Sequence, residues 1–134
     1  MKIEAPISVG ELIDKISILE IKLDKISDPA QRANVRSEHD HLVKIYNENG
    51  IGAIVDAADE EALRTVNRSL WEVEDRLREH EARGDFGARF VELAQSVYRL
   101  NDARAAAKRS INARSGSLIV EEKSYSAADR AKAR

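Results

Sequence analysis

The chain has 134 residues, 22 Lys and Arg against 24 Asp and Glu, a net charge of -2 and 43% hydrophobic residues. Such a composition suits one folded domain rather than a disordered chain, and its near-balanced charge offers no global field to nucleic acid or anionic lipid. Because cysteine is absent, disulfides, thiol catalysis and thiolate metal sites are excluded.

The first residues, Met1-Lys2-Ile3-Glu4-Ala5-Pro6, lack the apolar core of a signal peptide. No apolar run approaches the roughly 20 residues that cross a bilayer. A soluble cytoplasmic protein without membrane contact is expected. Only 6 Gly, 2 Pro and 4% aromatic residues accompany many Ala, Leu, Ile, Glu, Lys and Arg, a balance that favours long helices.

Ser8 and Glu11 form a capping-box pair that opens a first helix over 9–27. Its apolar seam, Val9, Leu12, Ile16, Leu19, Leu23 and Ile26, recurs at spacings of three and four. Asp28-Pro29 ends this helix and starts a second over 29–48, whose stripe (Val35, His39, Leu42, Ile45, Tyr46) is weaker. Asn49-Gly50 closes it, and the apolar segment 51–58 is a connector with room for one turn. A third helix over 58–82 carries Leu63, Val66, Leu70, Val73 and Leu77, with Trp71 beside them. After the Arg83-Gly84-Asp85 break, a fourth over 86–114 carries Phe86, Phe90, Leu93, Val97, Leu100, Ala107 and Ile111. Leu118-Ile119-Val120 is extended in character, and 126–134 reads as a polar, frayed tail. The expected fold is all-α: an antiparallel four-helix bundle with a short extended C-terminal tail, one domain over 1–125.

Two features interrupt this pattern. On a helical wheel Ile13, Ile18 and Ile21 form a second apolar face on the first helix, away from its seam. Either the chain's own tail covers that face or a second copy does, and a homodimer is the favoured reading. In the fourth helix, Arg104 stands where the stripe calls for an apolar residue, with Asn101 and Lys108 on the same side. Antiparallel pairing about Gly84 sets Asn67 level with Asn101 and Arg64 level with Arg104, and aligned helix ends bring Glu11, Asp14 and Lys15 to the same height. These residues could hold a small anionic ligand by charge-assisted hydrogen bonds; alternatively, Arg104 pairs with Glu11 or Asp14 and only fixes helix register.

Other constellations carry less. Glu38-His39-Asp40-His41 holds one Glu-x-x-His without the second copy that a di-metal bundle needs, so no metal site is expected. No Gly-rich phosphate loop follows a strand pattern, and no cofactor is implied. The basic residues of 99–114 are spread around their helix rather than striped, which disfavours nucleic acid.

Ser8-Val9-Gly10-Glu11-Leu12-Ile13-Asp14-Lys15-Ile16, Val97-Tyr98-Arg99-Leu100-Asn101-Asp102 and Glu121-Glu122-Lys123-Ser124-Tyr125 together resemble a bacterial family classified as a domain of unknown function. The resemblance runs along essentially the whole chain, implies a small stand-alone protein, and supplies no catalytic residue. Leu12-Ile13-Asp14-Lys15-Ile16 is also faintly similar to the first helix of the all-helical chorismate mutases, but their early arginine is missing and this chain is longer than their three helices; no function is carried over. Two readings follow from the residues themselves. One is a helical homodimer acting as an interaction or structural module. The other is a binding protein or small enzyme for an anionic metabolite, with Asn101, Arg104 and Lys108 on the anion and Glu11 or Asp14 as acid and base; its catalytic residues are otherwise unknown.

Overall fold

The computed structural model describes residues 1–119 and 121–122; the expected polar tail at 126–134 lies outside them. The described chain is all-helical: α1 (Val9–Lys25), α2 (Pro29–Glu48), the single turn α3 (Ile51–Ile54), α4 (Ala57–Ala82) and α5 (Ala88–Ser115). There is no strand among the described residues, and Leu118 and Ile119 lie outside any helix.

Capping chemistry sets the boundaries. Ser8 accepts the Glu11 N–H at 3.0 Å, Asp28 that of Gln31 at 2.9 Å, and Asp56 that of Ala58 at 2.8 Å, each satisfying an orphan donor of a first turn. The first helix stops at Lys25, two residues sooner than its apolar seam predicts. There the Arg32 guanidinium reaches back from α2 to the carbonyls of Leu23 and Ile26, giving the open helix end the cationic donors it lacks. The last helix begins at Ala88 rather than at 86 because Asp85 takes the Gly87 N–H at 3.2 Å and holds a turn before it. Phe86 therefore sits outside the helix, edge-on to Phe90 with ring centroids 5.1 Å apart. Gly116, at φ +69°, supplies the left-handed residue that closes α5, and Ser117 N–H returns to the Asn112 carbonyl at 3.0 Å.

The central helix is α1. It packs on α2, α4 and α5, and Gly10, Leu12, Ile13, Asp14, Ile16, Ser17, Leu19 and Ile21 are all buried. The core joins Leu12, Ile13 and Ile16 to Ile51, Leu63 and Ile111, the last two with no exposed surface. Burying a side chain of that kind contributes roughly 1.5–3 kcal/mol. By contrast α2 buries no residue completely; its half-buried Leu42, Val43, Ile45 and Tyr46 lie on the core from outside, as its weak stripe foretells.

The helices α4 and α5 form a hairpin. His80 faces Phe90 across the turn, with centroids 6.2 Å apart, and Asn67 and Arg104 both reach Asp14 of α1, so the two run antiparallel. At 1.5 Å per residue α5 is about 42 Å long and α1 only about 26 Å. Away from α1 the hairpin is thinly covered: between Glu72 and Ala107 only His80 and Leu93 are buried. No described helix is long and apolar enough to cross a membrane.

Candidate functional site

At the covered end of the hairpin, polar residues from three helices meet. The Asp14 carboxylate has no exposed surface, and three donors satisfy it. Asn67 Nδ2 donates to Oδ1 at 2.9 Å, Arg104 Nε donates to Oδ1 at 2.9 Å, and Arg104 Nη2 donates to Oδ2. The Asn67 amide also donates to Ser17 Oγ at 3.2 Å. This is the fork geometry that makes arginine the usual partner of a desolvated carboxylate. Its hydrogen bond to Asp14 raises the Arg104 pKa, outweighing the opposing effect of burial.

One turn further along α5, the Lys108 side chain is 8% exposed. Its ammonium lies 3.2 Å from Glu11 Oε2 and 2.6 Å from Glu121 Oε2. Burial works against this charge, but the hydrogen bond to Glu121 and the field of Glu11 prevail and raise the lysine pKa. Lys15 lies 3.8 Å from the other Glu11 oxygen, so the Glu11 side chain that the capping-box pattern would turn back to Ser8 is engaged by two lysines. Beside Arg104 and Lys108 opens a cleft of about 470 Å³, lined also by Val97, Tyr98, Asn101, Glu121 and Glu122.

Of the residues singled out from the sequence, Glu11, Asp14, Lys15, Asn67, Arg104 and Lys108 come together here, and Asn101 lines the cleft one turn away. Arg64 does not join them. It turns to Glu20 at 3.2 Å and Glu60 at 3.5 Å, and its pKa is raised, the two carboxylates overcoming desolvation. Glu60 also accepts the Tyr46 hydroxyl at 2.6 Å; burial first, and then this hydrogen bond, push the phenol up to about 12. Among the described residues no three His, Cys, Asp or Glu side chains are grouped to hold a metal.

Sequence reading missed four participants. Ser17 continues the Asp14 network. Asn112 is 2% exposed and accepts the Gly10 N–H at 2.7 Å. Gly10 is required because a Cβ there would stand 2.7 Å from the Lys108 carbonyl oxygen. Glu121 arrives from beyond α5. A glycine inside a helix, and an asparagine four residues after Lys108 on the same face, were signals available for two of them.

The second apolar face of α1 is enclosed within the chain: Ile13 and Ile21 are buried, and Ile18 is half-buried. Exposed apolar side chains occur in the N-terminal segment (Met1, Ile3, Ile7), at Ile54 and Phe86, at Leu118 and Ile119, and on α5; those on α5 form a stripe. Val91 is 49% and Tyr98 53% exposed, with exposed Ala94 between them, and these spacings of three and four place all three on one helix face.

The sequence profile of a family described as a family of unknown function (DUF6165) matches residues 1–132. No curated protein and no solved structure matches the chain, so the faint likeness to chorismate mutases finds no support.

Proposed function

We propose that the chain, which belongs to the DUF6165 family of unknown function, is an interaction module that works as a homodimer, with the second copy seated along the outer face of α5. In this reading the antiparallel four-helix bundle is short: α1 and α2 complete it at one end, and the rest of α4 and α5 is an arm. The closed pairing of Asp14 with Arg104 serves the fold.

The observation that carries the reading is the Val91, Ala94 and Tyr98 stripe with its flanking charges, Glu92 and Arg99, which share one side of it. Two copies of α5 laid antiparallel about an axis between Gln95 and Ser96 bring Glu92 opposite the partner's Arg99, and Arg99 opposite the partner's Glu92. The same register seats each Tyr98 ring between Val91 and Ala94 of the other copy. Exposed pairs of this kind contribute only about 0.2–1 kcal/mol each, and Glu92 is already 3.1 Å from Arg89. The charges thus fix register while the apolar stripe and its tyrosines supply the affinity.

Light scattering tests it. The wild type should be a dimer, and Val91→Glu a monomer with unchanged helical circular dichroism. Glu92→Arg should weaken the dimer, and Glu92→Arg with Arg99→Glu should restore it. Dissociation by Ile18→Glu instead would put the partner on α1. A wild type that stays monomeric at high concentration overturns the reading.

A further inference from the structure

The cleft beside Arg104 has donors left over. Asp14 occupies Nε and Nη2 of the guanidinium, and Nη1, with two N–H groups, has no partner among the described residues. The Arg104 side chain is 28% exposed and lines the cleft, so the buried carboxylate holds the guanidinium in place without consuming it. The Asn101 amide, on the same wall, makes no side-chain hydrogen bond to the described residues. Lys108 completes the row, one turn beyond Arg104.

A carboxylate already stands in this cleft. Glu121, from the segment after α5, places Oε2 2.6 Å from Lys108 Nζ, although its own side chain is 47% exposed. The charges explain why it goes there. Among the described residues, Arg104 pairs with Asp14 while Lys108 and Lys15 share the one carboxylate of Glu11, so the Lys108 ammonium has room for Glu121. The ammonium sits on nearly buried stem atoms, where a charge-assisted hydrogen bond is stronger than at an open surface.

We propose that the α5 cleft is a binding site for a small organic carboxylate, held by Lys108, Arg104 Nη1 and the Asn101 amide, and that Glu121 is the resting occupant which the ligand displaces. At about 470 Å³, the cleft is within the size range of small-ligand sites. The site belongs to one chain, although Tyr98 lines both this cleft and the stripe proposed for the dimer.

Succinate is the probe, with inorganic phosphate at matched ionic strength as the control. Binding is followed in ¹⁵N-resolved NMR spectra through the Asn101 side-chain amide and Arg104 Nε–H. Because a site filled in cis has its apparent affinity reduced by the fraction left open, Glu121→Gln should bind succinate about tenfold more tightly than wild type if Glu121 is in place roughly nine-tenths of the time. Asn101→Ala on that background should weaken binding while leaving the melting temperature unchanged, and phosphate should bind less well than succinate. Three results would overturn the proposal: no saturable shift in either protein, equal affinity in wild type and Glu121→Gln, or shifts that succinate and phosphate produce alike and away from Asn101 and Arg104.

Discussion

Arg104→Leu would supply the leucine that the apolar stripe of α5 lacks, yet the structure predicts a loss of stability. The variant removes two of the three donors to a carboxylate with no exposed surface and leaves Asp14 with Asn67 alone. Breaking a buried ion pair from one side costs about 3–5 kcal/mol, because the remaining charge has no compensation. For a chain of this length roughly 3–4 °C accompanies each kcal/mol, so a melting temperature about 10–20 °C below wild type is expected. Removing both charges is a different perturbation. Asp14→Leu with Arg104→Leu replaces the pair by apolar groups, and the Asn67 amide keeps Ser17 as acceptor at 3.2 Å. This double variant should be clearly more stable than Arg104→Leu, since well-packed substitutes for buried pairs are often neutral or better. Urea unfolding followed by circular dichroism, arranged as a double-mutant cycle, measures the coupling. If Arg104→Leu unfolds within about 0.5 kcal/mol of wild type, an ordinary surface effect, then Asp14 relaxes to water and the pair does not anchor α1.

Other outcomes follow from single contacts. Gly10→Ala forces a methyl against the backbone carbonyl of Lys108, 2.7 Å away, and should cost about 1–3 kcal/mol by overpacking, read as a lower urea midpoint with unchanged slope. Leu63→Ala empties a fully buried position and should cost about 2–5 kcal/mol in the same assay. With its phenol pushed up to about 12, Tyr46 is protonated more strongly folded than unfolded. The stability it contributes is therefore whole below pH 10, its unfolded value, and lost as pH rises through about 12; ultraviolet titration should show Tyr46 ionising later in wild type than in Glu60→Gln.

Much of the fold was legible because helix period and caps act locally. Ser8 and Asp28 cap helices by their own side chains, and the three-four spacing gives α1, α4 and α5 their buried sides. The discrepancies came from residues acting at a distance, such as Arg32 on the end of α1, or from a turn, as with Asp85 before α5. The polar cluster was visible as a break in a stripe, and Asp14 stood among the partners considered for Arg104. Arg64 was misplaced because levelling two antiparallel helices ignores rotation about their axes, and rotation turns its guanidinium to Glu20. The wheel found the second apolar face of α1, but a wheel does not tell whether a partner or the same chain covers it; here Ile13 and Ile21 are buried by their own fold.

The clasp between α1 and the last turns of α5 also predicts an order of events in folding. Asp14 and Arg104 are separated by 90 residues, and Gly10 and Asn112 by 102, whereas α4 and α5 meet across a turn of a few residues. Closing the short loop loses less chain entropy, so the hairpin can zip early and independently. Docking of α1 must wait until α5 is complete to Asn112, because the carbonyl beside Gly10 and the guanidinium for Asp14 do not exist as a surface before then. Until that moment α1 can pair only with α2 across its own short turn, with Asp14 still in water, and docking on α5 is the step that dehydrates this carboxylate. Changes at Asp14 or Gly10 should accordingly slow the late docking phase and leave hairpin formation untouched.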